Sequence, residues 1–259
     1  MKKVNVILIF LLFAAFITSC NKDNMSPTSN GVYPYSVRMT DAPALYDAVN
    51  IDVQAVEVIS SNGNTVRLNA HAGMYNLLDF TNGRDTLIAS GTLADAEVDQ
   101  IRLILGDNNT VVVNGTTYPL KTPSAQQSGL KIQVHQTLEQ GVAQSVLLDF
   151  DANKSVVAQG NGNYSLKPVI RTIDANSTGS VSGQLSMTNT VSLVTMTSVA
   201  KPDISYSTYA NQNGEFMIRG ITPGVYNLTV TPVLPFSATT KSNIVISMGQ
   251  TTNVGKIDI

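Results

Sequence analysis

Three oxygen-bearing side chains stand at alternate positions in the middle of the chain, at Asp149, Asp151 and Asn153. Ca²⁺ prefers carboxylate and amide oxygens as ligands, so this spacing marks a candidate calcium site. The segment lacks the glycine and the terminal glutamate of an EF-hand loop, and an Asx turn at a strand end explains the same residues equally well. A second acidic group carries the same two interpretations: Asp41, Asp47 and Asp52.

The chain contains two histidines, His71 and His135. No HExxH or CxxC motif, Gly-x-Ser-x-Gly elbow or Gly-rich phosphate loop accompanies them. His135 alternates with Lys131 and Gln133, as on a solvated strand face. We therefore predict no catalytic site and no cofactor beyond the possible calcium. A hydrolase assembled in space from distant residues is the alternative from another class.

Three tyrosines lie close together in the sequence, at Tyr33, Tyr35 and Tyr46. Sugar-binding surfaces commonly stack aromatic rings on the ligand, and the chain contains no tryptophan. These tyrosines are therefore the candidate contacts for a glycan ligand. Packing at a strand edge or corner is the other interpretation.

The single cysteine, Cys20, follows a cationic start and an apolar run over residues 6–17. That run has the length of a signal-peptide core and is too short for a membrane span of about 20 residues. Ile17-Thr18-Ser19-Cys20 looks like a lipobox, in which the thiol carries a diacylglycerol. An ordinary cleaved signal peptide and an uncleaved anchor are the alternatives. As the only thiol, Cys20 lacks a disulfide partner in this sequence, which favours lipidation.

Lipidation predicts export, with residues 1–19 as signal peptide and residues 20–31 as the lipidated cysteine and a flexible tether. Asn21, directly after the cysteine, indicates the outer membrane of a gram-negative envelope, and surface display stays open. Only 13% of residues are charged and the net charge is −2. Because no basic cluster is present, nucleic acid is not an expected partner. The expected partners are the membrane, through the lipid, and an unidentified protein or glycan.

Residues 32–175 read as a β-domain. Apolar residues alternate with polar ones in several short segments, and a change of phase near Gln54 predicts a β-bulge. Asn62-Gly63 and Asn114-Gly115 favour the tight turns of β-hairpins. Residues 74–80 could form a helical turn or two at most, so the fold class is predicted to be all-β and sandwich-like.

A family resemblance covers about residues 36–173. It rests on Thr40-Asp-Ala-Pro-Ala-Leu-Tyr-Asp-Ala-Val-Asn-Ile-Asp-Val, Tyr75-Asn-Leu-Leu-Asp-Phe, Gln100-Ile-Arg-Leu and Tyr164-Ser-Leu-Lys-Pro-Val-Ile-Arg171. In this order these motifs resemble domain-of-unknown-function family 4382, which occurs in gram-negative lipoproteins. The resemblance implies an envelope lipoprotein domain and transfers no catalytic residue.

Residues 178–259 hold about seven short strand patterns, punctuated by turns such as Asn211-Gln-Asn-Gly214 and Thr222-Pro-Gly224, and so predict a second β-sandwich. The order Asn213-Gly-Glu-Phe-x-Ile-x-Gly-Ile-x-Pro-Gly-x-Tyr resembles the carboxypeptidase regulatory-like, prealbumin-like sandwich. That resemblance implies a structural module without a zinc peptidase site.

Together these patterns predict two β-sandwich-like domains behind a lipid anchor. The leading interpretation is a non-catalytic, envelope-anchored lipoprotein with an adhesion-like or scaffold role. The alternative is a glycan-binding component of a nutrient-uptake system.

Overall fold

The computed structural model describes residues 31–42, 44–122, 128–160, 162–174 and 177–259. Cys20, the predicted signal peptide and most of the predicted tether lie outside the described residues. The described chain is almost entirely β, which confirms the predicted fold class. It includes a 3₁₀ turn at Leu77–Phe80 and a four-residue α-helix, α1, at Ala152–Ser155. No helix in these described ranges is long and apolar enough to cross a membrane.

The first sandwich comprises residues 31–174. Its strands, in chain order, are β1 (Tyr33–Ala42), β2 (Ala48–Ser60), β3 (Thr65–Arg67), β4 (Asn69–Ala70), β5 (Gly73–Asn76), β6 (Thr86–Leu93), β7 (Glu97–Leu105), β8 (Thr110–Val113), β9 (Thr116–Lys121), β10 (Leu130–Thr137), β11 (Gln144–Asp151), β12 (Val156–Ala158), β13 (Tyr164–Leu166) and β14 (Ile170–Ile173).

These strands form two sheets that enclose one core. The five-stranded sheet has the order β14-β11-β1-β6-β4, and the nine-stranded sheet runs β10-β7-β2-β8-β9-β13-β12, with β3 and β5 also paired to β2. Val37 and Met39 of β1 alternate with half-buried Ser36 and Arg38, so one face of the strand enters the core. The pairing of β1 with β11 is parallel.

The turn and bulge predictions for the first sandwich are confirmed. The register of β2 against β7 shifts between Val53 and Ala55, where the change of apolar phase predicts a bulge. Asn114 and Gly115 both adopt positive φ, at 50° and 74°, between β8 and β9. Two successive left-handed residues match the twist of the flanking strands, which is why Asn-Gly suits this hairpin.

The second sandwich comprises residues 177–259 and contains seven strands, in agreement with the about seven strand patterns of the sequence. They are β15 (Gly179–Leu185), β16 (Ser192–Ser198), β17 (Ser205–Tyr209), β18 (Glu215–Ile221), β19 (Gly224–Pro232), β20 (Thr239–Ile246) and β21 (Thr251–Ile257). A three-stranded sheet, β18-β15-β21, packs on a four-stranded sheet, β17-β16-β19-β20. Met196, Leu228 and Val230 are fully buried between them.

The two sandwiches have separate hydrophobic cores. Buried side chains of one core come from Tyr35 to Leu166, and those of the other come from Val181 to Ile257. Even so, residues 31–259 form one compact unit by their contacts. Because neither core is shared, other contacts must hold the two sandwiches against each other.

The first core depends on Phe150, whose ring is fully buried on β11. We expect Phe150→Ala to lower the free energy of unfolding by roughly 3–5 kcal/mol, because the lost ring leaves a cavity. Urea denaturation followed by circular dichroism measures this change. Leu45→Ala, at a side chain that is 64% exposed, is the control and should shift stability by no more than about 0.5 kcal/mol. Equal effects of the two substitutions would contradict the assigned core.

Candidate functional site: the interdomain interface and the polar cleft

Arg171 joins the two sandwiches. From β14 its Nε donates to Asp149 Oδ2 at 2.6 Å, within the first sandwich. Its two terminal nitrogens donate to backbone carbonyls of β18, Nη1 to Gly220 at 3.2 Å and Nη2 to Arg219 at 2.9 Å. The guanidinium carbon also lies 5.3 Å from the centre of the Tyr206 ring. A planar group with five N–H donors can serve all these partners at once, which a lysine cannot do.

Asp85 forms a second link between the sandwiches. Its carboxylate accepts a bond from Arg38 on β1 and another from Arg219 Nη1 on β18, the latter at 2.6 Å. Burial alone would raise the pKa of Asp85, but the bonds from the two arginines outweigh it and hold the pKa below its ordinary value. Asp85 is therefore ionised at neutral pH. We call these contacts of Arg38, Asp85, Arg171 and Arg219 the interdomain interface.

Two glycines allow the backbones to approach closely at this interface. Gly220 has φ of +69°, and a Cβ added there would lie 2.5 Å from Ile173 Cγ1 of the first sandwich. Gly83 has φ of +81° and lies against the side chain of Met217. Larger residues would be both strained and obstructed at these positions.

Asp41 is a buried carboxyl group at the edge of the interface. Its side chain is only 4% exposed. Oδ1 accepts the backbone N–H of Ala152 at 2.9 Å, whereas Oδ2 has no hydrogen-bond partner among the described residues. Burial raises the pKa of Asp41 well above its ordinary value, the Ala152 N–H opposes this, and the nearby charges of Asp149 and Asp151 raise it further.

The residues of the predicted calcium site are engaged elsewhere. Burial raises the pKa of Asp149, against the opposing effect of its bond to Arg171. Asp151 caps α1 by accepting the Lys154 N–H at 2.9 Å and also pairs with Lys154 Nζ at 2.7 Å. Asn153 is exposed on α1. The capping geometry matches the turn interpretation. Throughout the described ranges, no three acidic, histidine or cysteine side chains are grouped to hold a metal ion.

The second acidic group is dispersed. Asp47 accepts the Gly115 N–H of the β8–β9 turn at 2.8 Å. Asp52 accepts a bond from Asn108 Nδ2 at 2.9 Å and another from Gln54. Asp41 lies instead beside α1. Asp47 and Asp52 therefore each stabilise a turn or strand contact, and the three aspartates form no common acidic group within the described residues.

The tyrosine hypothesis for a sugar surface is wrong for Tyr35. It is 2% exposed, and its hydroxyl donates to Gln136 Oε1 at 2.8 Å. Burial raises its pKa. Tyr33 and Tyr46 are half-buried and pack against the first core. The reason is the strand phase, since Tyr33 and Tyr35 alternate in step with buried Val37 and Met39. The packing interpretation therefore describes all three tyrosines.

The two histidines belong to different parts of the first sandwich. His71 is exposed after β4, and the exposed ring of His135 on β10 lies 3.3 Å from Asp99 through Nδ1. Within the part of the chain that the structure describes, no serine hydroxyl is hydrogen-bonded to either imidazole.

A polar cleft lies where the loop Thr81–Arg84 of the first sandwich meets the outer face of the three-stranded sheet of the second. Its volume is about 750 Å³. Amide, hydroxyl and charged groups provide most of its polar lining: Thr81, Asn82, Arg84, Ser182, Gln184, Asn211, Glu215, Asn253 and Lys256. Sequence reasoning singled out none of these residues as a site, because they come from separate strands and turns.

Comparison with known families assigns the first sandwich. Residues 34–168, more than half of the 259-residue chain, match the family model described as domain of unknown function DUF4382. The chain belongs to this family. The match therefore confirms the family resemblance that the sequence motifs indicate.

The second sandwich of the DUF4382 protein matches a different domain family from the predicted one. Residues 177–254 match the model named polysaccharide lyase family 4, domain II. The β-sandwich prediction agrees with the fold, whereas the carboxypeptidase regulatory-like label is not the one that the match carries. No curated protein sequence matches the chain.

Solved structures give only distant similarities. The TIE protein of Bacillus anthracis shares 10% identity at a TM-score of 0.25, over 83% of this chain and 35% of its own, so this chain spans about a third of that protein. The shaft pilin SpaA of Lactobacillus rhamnosus GG shares 8% sequence identity at a TM-score of 0.23, and the match covers 88% of this chain and 96% of the pilin chain. The major pilin subunit of Bacillus cereus shares 10% sequence identity at a TM-score of 0.24, and the match covers 88% of this chain and 99% of the pilin chain. Sequence identities and TM-scores this low are too small to transfer a function.

Asp85 tests the interdomain interface. We expect Asp85→Asn to weaken both arginine contacts. The free energy of unfolding should fall by only about 1 kcal/mol, because water partly screens the charges of Arg38 and Arg219. The distance distribution in small-angle X-ray scattering should become broader. Glu57→Gln is the matched control, since Glu57 pairs with Arg102 inside the first sandwich at a similar exposure, 17% against 16%. Identical scattering of the two variants would contradict the assigned link.

The raised pKa of Asp41 predicts how the free energy of unfolding changes with pH. A carboxyl group whose folded pKa is raised stabilises the fold when protonated, and this contribution is lost as the pH rises from about 3.8 through the folded pKa. Asp41→Asn keeps the acceptor for Ala152 and removes the buried charge. We expect it to raise the free energy of unfolding at pH 7 by roughly 1–3 kcal/mol and to flatten the decline with pH. Urea titrations between pH 4 and pH 8 measure both, and an unchanged slope would contradict the assignment.

Proposed function

We propose that this DUF4382 protein is a non-catalytic lipoprotein of the gram-negative cell envelope that presents its two β-sandwiches as one rigid scaffold for contact with a partner. The supporting observation is the interdomain interface, where Arg171 and Asp85 use their charges to hold the sandwiches together. Charged groups fully occupied in this way are suited to cohesion and are poorly placed to act on a substrate.

The lipobox-like segment ending at Cys20 supports the anchor. Each buried methylene of an acyl chain contributes about 0.8 kcal/mol to membrane binding, so a lipidated cysteine with several chains holds a protein firmly. Outer-membrane location and display on the cell surface belong to this proposal.

Anchoring is tested at Cys20. We expect the wild-type chain to incorporate radiolabelled palmitate and to sediment with membranes, and Cys20→Ser to do neither, because serine lacks the thiol that receives the diacylglycerol. Ser19→Ala, which keeps a small residue before the cysteine, is the control and should remain labelled. A wild-type chain that takes up no label would refute lipid anchoring. Protease treatment of intact cells then shows whether the sandwiches face outward.

The scaffold role is tested with the same full-length chain. Capture of purified envelope proteins and matrix glycoproteins is compared for wild type, Asp85→Asn and Glu57→Gln. We expect partner capture to fall in Asp85→Asn alone, because only this substitution loosens the relation between the sandwiches. Absence of any partner at micromolar concentration would count against the scaffold role.

Glycan capture is the second candidate function. Two observations favour it: the polar cleft between the sandwiches, and the match of the second sandwich to a domain named for a polysaccharide lyase family. Its ligand would bind in the cleft and not on the predicted tyrosines, which pack against the first core.

A further inference from the structure

The floor of the polar cleft is a flat array of polar side chains. On the outer face of the three-stranded sheet, Gln184 of β15 lies between Glu215 of β18 and Lys256 of β21. In the neighbouring row, Ser182 lies between Met217 and Asn253. The register of the two pairings fixes both rows, so the spacing of these groups is set by the sheet itself.

The wall of the cleft is the loop Thr81–Arg84, which follows the 3₁₀ turn of the first sandwich. Gly83 lies against the side chain of Met217, so the loop packs directly on the sheet that forms the floor. Asn82 has a left-handed backbone, at φ of 53°, and its buried Oδ1 has no hydrogen-bond partner in the described structure. The cleft therefore needs both sandwiches in place.

The charge of the cleft is positive on balance. Arg84 and Lys256 are exposed, and no carboxylate of the described residues lies within ion-pair distance of either. Glu215 is the acidic residue of the lining, and its carboxylate accepts a bond from Asn211 Nδ2 at 3.0 Å. Two cations thus remain available to an anion, in a chain whose net charge is −2.

We infer that the polar cleft binds a carboxylated oligosaccharide, an inference that rests on the glycan-capture candidate. Amide side chains both donate and accept hydrogen bonds, so Gln184, Asn211 and Asn253 match the adjacent hydroxyls of a sugar ring. Arg84 and Lys256 supply the partners for a uronate carboxylate. A volume of about 750 Å³ falls within the range of about 300–1,000 Å³ that is typical of ligand sites.

The test is calorimetric titration of the full-length chain in detergent with tetragalacturonate and with its methyl ester, the same sugar without the negative charges. We expect saturable binding of the acid, and binding of the ester at least about tenfold weaker, since each charge-assisted bond changes affinity by roughly that factor. Binding of the acid should also weaken as NaCl rises, because the cations are exposed.

Variants locate the site. Arg84→Gln and Lys256→Gln should each reduce affinity for the acid about tenfold and leave that for the ester unchanged. Lys201→Gln removes an exposed lysine of the second sandwich away from the cleft lining and should change neither. Circular dichroism verifies that each variant is folded.

The other outcomes overturn the inference. Equal affinity for acid and ester would exclude a carboxylate-reading site, and competition by inorganic phosphate at the same concentration as the sugar would reduce the site to a general anion site. Binding that survives both cation substitutions would place the sugar elsewhere. No binding of either saccharide by a chain that still captures a protein partner would refute the glycan site and leave the scaffold proposal standing.

Discussion

The guanidinium group of Arg171 is the contact on which the joint arrangement of the two sandwiches depends. It satisfies Asp149 on one side and two backbone carbonyls of β18 on the other. Removing it would leave a buried carboxylate and two carbonyls without these donors, and buried polar groups without partners are costly. Asp85 repeats the principle with the charges reversed, as one carboxylate serves an arginine from each sandwich. The interface is therefore polar and specific, in contrast to the apolar cores that it joins.

The same interface creates the polar cleft. Loop Thr81–Arg84 reaches the outer face of β18 because Gly83 and Met217 pack together, and Asp85 directly after the loop is fixed by Arg219. The wall and the floor thus come from different sandwiches, and their separation is set by the ion pairs beside them. Any change that loosens the interface would also alter the cleft, so the proposed scaffold role and the proposed ligand site depend on the same contacts.

Local sequence pattern predicted the strands, the Asn114-Gly115 turn and the β2 bulge, because each depends on residues adjacent in the chain. It also contained the information that Tyr35 is buried, since that residue keeps the phase of Val37 and Met39, yet residue type alone suggested a ligand surface. The interdomain interface could not be predicted in this way. Arg171 and Gly220 are brought together only by the packing of complete sandwiches, and nothing in the local pattern at Arg171 distinguishes it from a solvated strand residue. The parallel pairing of β1 with β11 is likewise a long-range property.

That parallel pairing has a mechanical consequence. β1 is an interior strand of its sheet, hydrogen-bonded to β11 along Tyr35–Ala42 and to β6 along Tyr33–Met39. It is also the first strand of the described residues, and in the proposed lipoprotein it follows the segment that carries the lipid. Tension applied between a membrane and a bound partner would therefore pull β1 along its own axis, and both ladders would have to shear together before the strand could slip. A strand at the sheet edge would instead unzip one bond at a time, so this topology suits a protein that holds its position under load.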